Sequence, residues 1–123
     1  MAKMVSTWRG LISAMLMVMT VSSVQAESLP QARWVGDVPI MPALTIEQGL
    51  GFAFDSPEGR IVMIYLTGDA AADDVMAYYD SALNPLGWTM QSASSWAREG
   101  ESLAITRTTA GSVELWKLMI RPQ

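Results

Sequence analysis

The sequence predicts an α+β fold of two layers. An antiparallel sheet of about five to six strands carries one amphipathic helix packed on it, in the order β-β-α-β-β-β-β. Three observations predict this. Residues 69–88 hold the only substantial run of helically spaced apolar residues. The segments around it are short, apolar or alternating, and divided by turn residues at the spacing of an antiparallel meander. No internal repeat or low-complexity tract points to another architecture. One sheet with one helix makes two layers, and a lone helix of this length would not persist in water without that packing.

The chain begins with a basic head, Lys3 and Arg9, then an apolar run over residues 11–21, then small residues closing on Val24-Gln25-Ala26. This is the pattern of a signal peptide over residues 1–26, with cleavage predicted after Ala26 and the mature protein expected in the periplasm. A helix of eleven residues is about 16 Å long against about 30 Å of hydrocarbon. The run therefore does not read as a retained anchor, and no transmembrane segment is expected in the mature chain. No Cys follows it, which excludes a lipoprotein.

Cleavage leaves 97 residues, one small domain (residues 50–123) preceded by a Pro-containing arm (residues 27–49). Losing Lys3 and Arg9 leaves six basic residues against twelve acidic, a net charge of −6. Such a balance argues against nucleic acid or anionic lipid as a partner. The chain has no Cys in a compartment that permits disulfides, so burial must supply the stability. That makes the four mature tryptophans, Trp34, Trp88, Trp96 and Trp116, important.

Taken in order, the arm carries Pro30, Pro39 and Pro42, which bias their predecessors toward extended backbone. Residues 38–44 (VPIMPAL) are too apolar for a free linker. They are expected either to lie against the sheet or to offer an apolar patch to a partner. Residues 50–55 and 60–67 read as a hairpin, joined through Ser56-Pro57-Glu58-Gly59. The second strand is apolar on both parities, as in a strand covered on both faces or nearly so.

In the helix, Val75, Tyr78, Tyr79, Ala82, Leu83 and Leu86 share one face, and Asp73 and Asp74 complement the dipole of the first turn. Asp69 is the expected cap, with Ala71 as the alternative. Pro85 and Gly87 end the helix. Strands are expected over residues 88–91, 95–99, 102–108 and 113–120, with Pro122 stopping the last pairing.

The stretch Val75-Met-Ala-Tyr-Tyr-Asp-Ser-Ala-Leu83-Asn-Pro-Leu86-Gly87-Trp88, a V-x-x-[FY]-Y-x3-L-x2-L-G-W motif, resembles the helix of an uncharacterised family of small exported bacterial envelope proteins. Asp37-Val-Pro-Ile-Met-Pro42 and Phe54-Asp-Ser-Pro-Glu-Gly-Arg60 are similar to that family too. The likeness runs from about residue 37 to residue 121; Pro falls one position later here, after Asn84. The resemblance implies this fold and export, and it brings no catalytic residues with it.

With no His and no Cys, the chain cannot build a Ser-His-Asp triad, a Cys nucleophile or any common zinc site. Thr67-Gly68-Asp69 puts a carboxylate where a phosphate loop needs bare amides. Glu99 and Glu101 flank a turn and read as solubilising charge rather than a glycosidase pair. Asp55, Glu58 and Asp69 would hold a hard cation only if their loops met, and their spacing matches no calcium loop. The five mature Met residues are scattered, as core gap-fillers rather than a copper site. No catalytic residue, metal or cofactor is expected.

The expected function is therefore a non-enzymatic periplasmic domain that binds a protein partner or envelope component. Trp34, Ile40, Met41 and Trp96 are the candidate contacts, though Trp34 and Trp96 could equally complete the core. Removal of residues 27–41 is expected to leave such a domain folded. The alternative is a carrier of a small apolar ligand held between helix and sheet, with Tyr78, Tyr79 and Trp88 lining the pocket.

Overall fold

The computed structural model describes residues 30–123, so the expected signal peptide and its expected cleavage point lie outside the described residues. In chain order the elements are α1 (Pro30–Trp34), β1 (Thr45–Ile46), β2 (Phe52–Ser56), β3 (Gly59–Thr67), α2 (Ala72–Leu83) with a 3₁₀ turn (Asn84–Leu86), β4 (Thr89–Ser92), β5 (Ser95–Arg98), β6 (Glu101–Ala110) and β7 (Val113–Pro122). The fold is α+β: one open antiparallel sheet, mostly strand, with one main helix.

Strand order across the sheet is β1-β3-β7-β6-β5-β4. β2 also pairs with β3, from Phe52↔Met63 to Ser56↔Gly59, while β1 pairs Thr45↔Thr67 and Ile46↔Leu66. Both therefore share the edge of β3 that faces away from β7. Gly51 makes this possible. Its φ is 99°, and a Cβ there would stand 2.5 Å from the Met63 carbonyl oxygen, closer than any side chain tolerates.

Alternation divides the sheet into two faces. Val62, Ile64 and Leu66 align with Ile120, Leu118 and Trp116, and then with Leu103 and Ile105, through the β3–β7 and β6–β7 registers. Trp96 extends this face on β5. Over it lie Val75, Tyr79 and Leu83 of α2, together with Trp88 and the arm residues Val35, Val38 and Leu44, all buried in a single core. A fully buried Val or Leu contributes about 1.5–3 kcal/mol. The other face carries no helix, although Leu115 is buried on it beside Leu50 and Gly51.

Four expectations change. Asp69 lies two positions before the cap, which is Ala71, and α2 starts with no side-chain cap bond. The arm is not extended throughout, because α1 opens it, with Pro30 at the first helical position where a missing N–H costs nothing. Its apolar run lies against the sheet, the first of its two expected placements, and with Val35, Val38 and Leu44 in the core the arm is not separate from the domain expected to begin at residue 50. β3 is covered on one face only, and its second apolar set, Ile61, Met63 and Tyr65, is half-buried on the open side. The helix exit follows the sequence: Gly87 takes the left-handed conformation at φ 92°, and its N–H reaches the Asn84 carbonyl at 3.0 Å.

Candidate functional site

Two places could work on a ligand: the layer between helix and sheet, and the uncovered face. The inner layer is filled around Tyr79. Tyr79 has no exposed surface, and burial pushes its hydroxyl ionisation up to about 12. That hydroxyl donates to the Pro39 carbonyl at 3.0 Å and accepts the Met41 N–H at 3.1 Å. Tyr78 stands edge-on to it at 5.0 Å, half-buried. Tyr79 therefore opens onto no pocket, and the expected site of Tyr78, Tyr79 and Trp88 is not assembled.

Trp88 is 2% exposed and Trp96 1%. They do meet, in the wall of a small cavity of about 150 Å³ with Asp80, Asn84, Thr89 and Met90. The Trp88 indole N–H is buried and has no hydrogen-bond partner among the described residues. Trp96 offers a partner no surface, which removes it as a contact residue.

Trp34, Ile40 and Met41 are half-buried against the core, and the arm that carries them is pinned at several points. Arg60 makes a bidentate pair with Glu101, at 2.7 and 3.0 Å, and donates to the Trp34 carbonyl at 3.2 Å. Arg98 makes a second, with Asp37 at 2.9 and 3.1 Å, donates to the Leu86 carbonyl at 2.9 Å, and lies over the Trp88 ring at 4.4 Å. The Arg98 hydrogen bonds hold the Asp37 carboxyl below the ordinary carboxylate range. Gln31 adds a bond to the Gln48 carbonyl at 3.0 Å.

The uncovered face is different. Strand registers place Phe52 beside Met63 and Met119, Phe54 beside Ile61, and Tyr65 beside Lys117. Phe52 and Phe54 are 42% and 52% exposed and stack with centroids 5.7 Å apart. Leu50 and Val113 are exposed nearby. Two shallow clefts open here, of about 290 and 270 Å³, and share Leu50, Ala110 and Leu115. These residues were not among the candidates. The shared parity of Phe52 and Phe54 was visible, but parity cannot say which face stays uncovered.

Charge is segregated too. Residues 61–97 contain no Lys or Arg, and the back of α2 exposes Asp73, Asp74 and Asp80, with Asp69 just before it. Arg60, Arg98 and Arg107 each hold a carboxylate. Lys117 and Arg121, whose register puts them on the uncovered face, form no ion pair among the described residues.

No group of three or more His, Cys, Asp or Glu is gathered for a metal among the described residues, so Asp55, Glu58 and Asp69 are not brought together. No helix among those residues is long and apolar enough to cross a membrane. Comparison of the chain with models of known families, with curated proteins and with solved structures finds no match.

Proposed function

We propose that this protein is a non-enzymatic exported domain that binds a component of the bacterial cell envelope in the periplasm, and that its working surface is the uncovered sheet face. The signal-like leader supports export, and the resemblance to exported envelope proteins agrees with it. The observation that carries the binding reading is the stacked, exposed Phe52–Phe54 pair beside Leu50 and Val113. Small single domains seldom leave such a contiguous apolar set in water unless something lies on it. The arm is no longer the contact, since its apolar residues are used in the core.

The second reading, a carrier of a small apolar ligand, is favoured by the two adjoining clefts, each near the roughly 300 Å³ lower bound of small-molecule pockets. They lie on the open face and not under the helix. One experiment tests the surface. The full chain is expressed with its leader, recovered from the periplasmic fraction and titrated with the neutral fluorescent probe N-phenyl-1-naphthylamine. The expected protein starts at Glu27 and binds the probe, and a Phe52→Ser/Phe54→Ser variant keeps its circular dichroism and loses the binding. Undiminished probe binding by that variant, or a protein that stays in the cytoplasm, would overturn the reading.

A further inference from the structure

We infer that the uncovered face is built for a single-chain anionic amphiphile, a long-chain alkyl carboxylate, with its tail in the Leu50–Leu115 cleft and its head on Lys117. The inference rests on the reading of that face as a binding surface, and names what binds.

Tyr65 lines the cleft, and Lys117 is its cross-strand partner. Side chains directly opposite in an antiparallel pair have Cβ atoms about 5 Å apart, so the ammonium stands at the rim of the apolar wall. Leu115, in the cleft wall, lies two residues away on the same strand and face, about 7 Å along it. Thr106 lies opposite Lys117 on the other side and can add a hydroxyl donor to a bound anion.

Lys117 is half-buried, in a chain with twelve acidic and eight basic residues, yet no carboxylate among the described residues reaches it. The arginines Arg60, Arg98 and Arg107 all have carboxylate partners. A cation left unpaired beside an apolar cleft, in a molecule with carboxylates to spare, is complementary to a ligand that brings both an apolar tail and a negative charge. Glu47 stands on the other side of Tyr65 from Lys117, its N–H bonded to the Tyr65 carbonyl at 2.8 Å, and lines the second cleft. It repels an anionic head there and so orients the amphiphile with its head toward Lys117.

Displacement of N-phenyl-1-naphthylamine by three monomeric twelve-carbon amphiphiles tests this: laurate, dodecanol and dodecyltrimethylammonium. Laurate should displace the probe at about tenfold lower concentration than dodecanol, the size expected for a charge-assisted contact, and the ammonium compound should be the weakest. Lys117→Gln should abolish the laurate advantage and leave dodecanol unchanged. Equal displacement by laurate and dodecanol, or a laurate preference that survives in Lys117→Gln, overturns the inference while the face remains a binding surface. Absence of probe binding by the wild type removes both. Sedimentation with phosphatidylglycerol vesicles in the absence of laurate binding would instead assign the face to a membrane surface, and would also overturn the inference.

Discussion

The Tyr79 hydroxyl donates to one group of the arm and accepts from another, so a single oxygen ties Pro39 and Met41 to the helix. Tyr79→Phe leaves a half-buried carbonyl and a half-buried N–H without that partner, at a cost of about 1–3 kcal/mol. The urea midpoint should fall with the slope unchanged. The same burial predicts a pH signature. The unfolded chain ionises this group near 10, its ordinary value, and the folded chain near 12. The folded state therefore holds a proton that the unfolded state has lost. Stability is whole below pH 10, falls as pH rises toward 12, and levels off above it, a loss of about 2–3 kcal/mol. Tyr79→Phe should lack that loss, and parallel alkaline curves for the two proteins would show that the hydroxyl is not buried as described. Asp37 works at the other end of the scale. Its carboxyl is held low by Arg98, so its contribution is present above its ordinary value of 3.8 and fades as the pH falls further below it.

At the scale of elements, α2 is held by its buried stripe and not by its ends. Ala71 has the extended conformation a cap requires (φ −69°, ψ 147°) but no side chain to use it. Ala71→Ser should add about 1 kcal/mol, read as a rise in Tm of about 4–8 °C for a domain of this size. An unchanged Tm would mean that the first-turn amides are already satisfied. The helix was legible in the sequence because Val75, Tyr79 and Leu83 recur within the helix itself. The hairpin β2–β3 was legible for the same reason, since its turn residues sit between its strands. α1 and β1 were not. They have five and two residues, too few to show a period, and long-range contacts decide them: Gln31 to Gln48 and Thr45 to Thr67. The pairing of β3 with β7 joins residues 50 to 58 positions apart and leaves no local signature.

At the scale of the whole molecule, the arm and the sheet form one core. Removing residues 30–41 would take out buried Val35 and Val38, the Asp37–Arg98 pair and both groups bound by Tyr79. Two valines alone are worth about 3–5 kcal/mol, a large share of the stability of a small domain. The truncated chain should lose its near-ultraviolet circular dichroism. Retention of a native spectrum would show that the arm is dispensable after all. The candidate site was less legible than the fold. Tyr79, Trp88 and Trp96 are large and aromatic, which suits core and ligand contact alike, and only the packing distinguishes the two. Both parities of β3 are apolar, so the sequence could not say which one meets the helix.

The separation of charge between the two layers has a last consequence. Carboxylates crowd the helical back, while on the opposite side Lys117 and Arg121 offset Glu47 and Glu58, so the molecule has an electric moment across its thickness. In the field of a negatively charged surface it will turn before it touches, bringing its aromatic side forward and keeping its acidic side away. Its low isoelectric point, about 4.6, describes the average molecule and not the side that arrives first.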